Sequence, residues 1–236
     1  MLPNTLINII AFVIFVVCIS IYSIKLLYGM KKPGTAKRGL LNIYYSQWVK
    51  RMINQKDTII AVQTMRNLIM ATTFLTSSML VLLGLLLRIP SNGIDELIQF
   101  SATSTELIAQ YKVLLFVAVL LFSIIMFLLS LRQMVRFSIL IGIPVESIET
   151  ITPEYVNARK NEEAKSKTID AIALRKDVFL RAMNRFTFGL RSVFYAITTI
   201  LWFISVYAFI IGTISLTVFL IRYQDVKTPC LEETPI

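Results

Sequence analysis

The chain has 236 residues, 56% of them hydrophobic and 16% charged, with a formal net charge of +10 and no histidine. Soluble domains hold roughly 45 to 50% apolar and 25% charged residues, so the excess apolar material here is matched to lipid. Without an imidazole the chain alone can build no His-ligated haem, no His-based zinc or copper site, no Ser-His-Asp triad and no histidine pH switch.

Four uncharged stretches run from Met1 to Ile24, Asn67 to Leu87, Val113 to Leu131 and Ser192 to Ile221. A hydrocarbon core of roughly 30 Å needs about 20 helical residues at 1.5 Å each, and each stretch is close to that length or longer. The expected fold is an all-α polytopic membrane protein: a four-transmembrane-helix bundle with amphipathic cytoplasmic helices. One membrane domain over 1–223 holds spans at about 3–27, 66–88, 111–132 and 192–221, with a tail over 224–236. The first stretch has no Lys or Arg before Lys25 and no A-x-A sequence after it, so it reads as a retained helix and not a secretory signal.

After Lys31-Lys32-Pro33-Gly34, which supplies a turn, Leu41, Tyr45, Trp48 and Met52 recur at spacings of 4, 3 and 4, joined by Tyr44, Val49 and Ile53. Such a helix either lies at the headgroup level, with Tyr44, Tyr45 and Trp48 as interfacial anchors, or packs on the protein's own cytoplasmic helices. Asp57 can cap a helix that begins at Thr58 and continues into the second span. That span carries the small hydroxyls Thr72, Thr73, Thr76, Ser77 and Ser78, which suit close helix packing better than a solute path.

Pro90-Ser91-Asn92-Gly93 forms an outer turn, and Thr103 to Glu106 has capping-box spacing before the third helix. That helix should continue to about Gly142, with Pro144 as its stop, and Thr152-Pro153-Glu154 starts another. Ile169, Ile172, Phe179, Met183, Phe186 and Leu190 mark one helical face leading into the last span, with Asp177 and Arg181 placed for a surface pair. The last uncharged run, 30 residues, would be about 45 Å as one helix, so tilt or protrusion has to absorb the excess. Of the two cysteines, Cys18 reads as a packing residue within the first span, and Cys230 in the tail can pair between subunits or accept a modification.

Twenty of the twenty-four Lys and Arg fall in two segments, Lys25 to Arg66 and Arg132 to Arg191. This positive-inside bias predicts cytoplasmic basic loops with N- and C-termini outside, and it accounts for the net charge without nucleic acid. Several polar residues should meet at the cytoplasmic ends of three helices: Gln63, Arg66 and Asn67 on the second, Arg132, Gln133 and Arg136 on the third, and Arg185 and Arg191 on the fourth. Arginine forks recognise phosphate, so this belt is a candidate site for anionic lipid or another phosphorylated ligand; the alternative is that the arginines snorkel and pair with Glu146, Glu149 or Glu154. G-x-S-x-G, Walker-type and C-x-x-C patterns are missing, as are prolines in the last three spans and an ionisable group at mid-span, so an enzyme or a lone transporter is disfavoured.

Several blocks carry a family likeness: Tyr44 with Trp48-Val49; Val62-Gln63-Thr64-Met65-Arg66-Asn67-Leu68-Ile69-Met70-Ala71; and Arg185-Phe186-Thr187-Phe188-Gly189-Leu190-Arg191 followed by Tyr195 and Leu201-Trp202. Over about residues 5 to 215 the chain resembles the domain-of-unknown-function family numbered 599, multi-helix membrane proteins of plants and bacteria. The resemblance implies a multi-helix membrane fold and brings no activity or cofactor with it. The expected role is a non-enzymatic structural or accessory membrane component that binds no cofactor or metal. It would associate with itself or other membrane subunits and hold anionic lipid at the belt. The rivals are an oligomeric pore or small-solute transporter and, less favoured, an enzyme acting on lipid or phosphate esters.

Overall fold

A computed structural model describes residues 4–31, 37–54, 58–87, 106–143 and 171–224. Among them there are six α-helices and no strand: α1 (Asn4–Lys31), α2 (Lys37–Asn54), α3 (Thr58–Leu87), α4 (Glu106–Gly142), α5 (Ala171–Ile204) and α6 (Val206–Phe219), with one π-helical turn over Leu220–Gln224. Four of these, α1, α3, α4 and α5, are long and apolar enough to cross a membrane. This is an all-helical integral membrane protein. In hydrocarbon every backbone N–H and C=O needs an internal partner, which overrides the weak helix propensity of the many Val, Ile and Thr residues. The expected start of α3 at Thr58 and end of α4 at Gly142 are both observed. The Pro33-Gly34 turn, the Asp57 cap, the turn over residues 90–93, Thr103 of the capping box, Pro144, the 152–154 helix start, the three partner glutamates and Cys230 lie outside the described residues.

The described helices divide into two compact units, one formed by Met1–Ile43, Ser78–Ile125 and Phe188–Ile236, the other by Tyr44–Ser77 and Met126–Thr187. In the first unit the sequence expectation fails instructively. The uncharged run from Ser192 to Ile221 is not one helix, because Ser205 adopts extended backbone (φ −159°, ψ 138°) between α5 and α6. The chain then folds back on itself. Trp202 stacks on Phe209 with centroids 4.6 Å apart, and the hydroxyls of Tyr195 and Thr217 meet at 3.1 Å. A single helix would hold that second pair about 33 Å apart.

The excess length is therefore absorbed by a hairpin and not by tilt. The break costs Ser205 no backbone hydrogen bond, since its N–H donates to the Leu201 carbonyl at 2.9 Å and its carbonyl accepts from Phe209 at 3.0 Å. Gly212 makes the close return possible: a methyl group there would come within 2.7 Å of Leu201 Cδ1. At the hairpin tip the Trp202 indole donates to Asn8 Oδ1 of α1 at 3.0 Å, and Lys112 of α4 lies 5.8 Å over the same ring. Phe15 and Tyr22 of α1 meet Tyr195, and Phe15 also meets Phe209, so α1 closes the apolar cluster around both arms.

Two hydrogen bonds set α4 against α5 here. Ser123 donates to the Gly189 carbonyl at 3.0 Å and Ser192 to the Val119 carbonyl at 3.2 Å, which fixes an antiparallel register. In the second unit Ser130 makes the equivalent bond to the Ala182 carbonyl at 2.8 Å. Donors and acceptors are each one heptad apart, and the acceptor positions are the small residues Gly189 and Ala182, which let helices approach.

The second unit packs Val49 and Met52 of α2, Ala61 and Met65 of α3, Met134 and Phe137 of α4, and Phe179 and Met183 of α5 into one cluster. Tyr45 and Trp48 pack against Phe179 at centroid distances of 5.7 and 5.3 Å, so this part of α2 rests on the protein's own helices, while the Tyr44 side chain is exposed. Thr72 and Thr76 are buried and donate to the carbonyls of Leu68 and Thr72 at 2.7 Å each, as packing hydroxyls do. Asp177 and Arg181 form the expected exposed pair at 2.6 Å. Arg175, 2% exposed, donates through Nη2 to the Ile143 carbonyl just beyond α4 and ties the start of α5 to that helix end.

Two outcomes follow from these contacts. With Cys18 and Cys230 replaced by serine, the pair Leu201→Cys and Gly212→Cys should form a disulfide on oxidation, visible as a mobility shift reversed by reductant; a continuous helix would separate the two by about 16 Å. Arg175→Ala removes a charge-assisted bond to a helix-end carbonyl. It should lower unfolding stability in detergent by about 2 kcal/mol, with faster amide exchange at the end of α4.

Candidate functional site

The belt residues occupy distinct environments. Gln63, Arg66, Asn67, Arg132 and Arg136 are exposed in the second unit, and Arg185 is half-buried there, with Nη1 a long 3.5 Å from the Leu129 carbonyl. The contact of Thr72 Oγ1 with Met134 Sδ at 3.7 Å fixes the level of α3 against α4. Counting from it along antiparallel helices puts Arg66 and Arg136 within about 6 Å of each other along the axis, with Arg132 about 6 Å further on. Their backbones are thus brought to neighbouring levels. Arg66, Arg132 and Arg136 make no ion pair among the described residues.

Arg191 stands apart because it belongs to the first unit. The sequence puts it at the edge of the last span, yet the bonds from Ser123 to Gly189 and from Ser192 to Val119 set it beside residues 119–123 of α4. Those residues are the middle of the uncharged stretch from Val113 to Leu131. Two of its guanidinium nitrogens, Nε and Nη1, are shielded from solvent and have no hydrogen-bond partner among the described residues. An arginine cannot shed its charge in response, unlike a buried lysine or histidine.

Sequence reasoning missed three participants. Arg175 looked like one more basic residue of an inner segment, and only its burial shows that it ties two helices together. Lys112, 3% exposed, begins a span and is tucked over an indole ring. The serine bonds were visible in principle, as Ser123 and Ser130 seven residues apart facing Ala182 and Gly189 at the same spacing. Among the described residues no group of three or more His, Cys, Asp or Glu side chains could hold a metal ion. The arrangement offers instead permanent positive charge at two places: exposed in the second unit and half-buried in the first.

No curated protein and no solved structure matches the chain. Residues 10–229 match a family described as protein of unknown function, DUF599, and that range takes in both units and every belt arginine. The chain belongs to the DUF599 family of proteins of unknown function.

Proposed function

We propose that the protein is a non-enzymatic structural or accessory component of the membrane that holds anionic lipid through its arginines and assembles with itself or with other membrane subunits. The observation that carries the proposal is the set Arg66, Arg132 and Arg136: exposed, permanently charged and without an ion pair among the described residues. Arginine is the side chain suited to phosphate, since its planar fork matches two oxygens at once. A basic side chain near an anionic membrane surface contributes about 1 kcal/mol each, so three together favour acidic over zwitterionic lipid by a factor on the order of 100. The burial of Thr72 and Thr76, bonded to their own helix, speaks against these hydroxyls lining a solute path.

A second reading gains from one feature. The break at Ser205 gives the apolar run two shorter arms, and discontinuous helices occur in transporters, so carriage of an anionic amphiphile is the rival.

Lipid analysis of protein purified in mild detergent tests the proposal. Wild type should carry acidic phospholipid enriched over the bulk membrane, and the combined Arg66→Gln, Arg132→Gln and Arg136→Gln variant should lose most of that enrichment while remaining monodisperse. Equal lipid profiles for the two, together with a lone monomer in native mass spectrometry, would overturn it. Flux of an anionic lipid between leaflets of proteoliposomes would favour the rival.

A further inference from the structure

The hydroxyls of Ser192, Ser123 and Thr217, which lie near the level of Arg191, make their bonds to other groups. Ser192 and Ser123 donate to carbonyls across the α4–α5 contact. Thr217 donates to the Thr213 carbonyl at 2.7 Å, so in the pair with Tyr195 it accepts, and the phenol hydrogen is used there. Carboxylates are just as scarce: Glu106 is the only acidic residue among the described positions of the first unit, and it begins α4, some 20 Å along the helix from residues 119–123. Leu26, Leu220 and Ile221 share an apolar cluster with Tyr195, one helical turn beyond the half-buried Arg191. A guanidinium in such a setting keeps its charge, and its shielded N–H groups need an anionic acceptor.

We infer that Arg191 is the receptor for a single phosphate-type oxyanion held inside the first unit, between the α5–α6 hairpin and α1. The inference rests on the anionic-lipid proposal for its ligand chemistry but moves the tight site away from the exposed arginines. Nε carries one N–H and Nη1 two, so the shielded edge alone can give three charge-assisted bonds to an oxyanion. The hairpin is what makes the place: its return brings the end of α6 back toward the level of Arg191 in place of a helix that would have carried on past Ser205.

Native mass spectrometry of the full chain, stripped with detergent and titrated with phosphatidylglycerol or with inorganic phosphate, tests this. Wild type should retain one phosphatidylglycerol per chain, and Arg191→Gln should bind it at least about tenfold more weakly. Arg191→Lys, which keeps the charge but loses the fork, should fall in between, and it keeps the test decisive where the glutamine variant fails to fold. A lipid source is indicated where phosphate does not compete, and a free-anion source where phosphate alone raises the melting temperature of wild type but not of Arg191→Lys. Undiminished binding in both Arg191 variants overturns the inference, as does a wild type that responds to neither probe. The triple variant of the exposed arginines separates the two proposals: it should keep the single tight lipid, and its losing no lipid enrichment would sink the exposed belt while leaving Arg191 standing.

Discussion

The register of α4 against α5 rests on side-chain hydroxyls reaching main-chain carbonyls, and much of the rest depends on it. Between helices in lipid there is little hydrophobic drive, because the tails are as apolar as leucine. Close van der Waals contact and a few interhelical hydrogen bonds must decide which face meets which. Ser123 with Gly189, Ser192 with Val119 and Ser130 with Ala182 do this, each worth on the order of 0.6 kcal/mol yet each specific to one register. Once α5 is set in that register, Trp202 comes level with Lys112 and Asn8, and Arg191 comes level with the middle of an uncharged helix.

Charge in this protein is therefore sorted by local geometry more than by loop. Arg66, Arg132 and Arg136 are exposed groups on long helices. Arg175 and Lys112 are buried and Arg191 is half-buried. Arg175 is spent on a helix end, Lys112 on an aromatic face, and Arg191 on no protein acceptor among the described residues.

The helical class, the start of α3, the end of α4, the packing role of Thr72 and Thr76 and the Asp177–Arg181 pair were legible because each depends on local periodicity or spacing. The hairpin was not. Nothing in the run from Ser192 to Ile221 breaks a helix by propensity, since it lacks proline and its single glycine is well past the bend. The break follows from tertiary gains, the Trp202–Phe209 stack and the Tyr195–Thr217 bond, that outweigh one extended residue. The depth of Arg191 was illegible for the same reason, because hydropathy ended the span one residue after it while packing carried α5 on as one helix.

The hairpin also bears on how the chain enters the bilayer. Helix α6 has 14 residues, about 21 Å, which is short of a hydrocarbon core of roughly 30 Å. The π-helical turn over Leu220–Gln224 continues it, so the apolar run of the second arm extends from Val206 to Arg222. Its partner α5 is made immediately before it, and the contacts that join them lie only 7 to 22 residues apart along the chain. Pairing at such short sequence separation closes quickly, so the two arms form as one local hairpin, with the Thr217 hydroxyl brought to Tyr195.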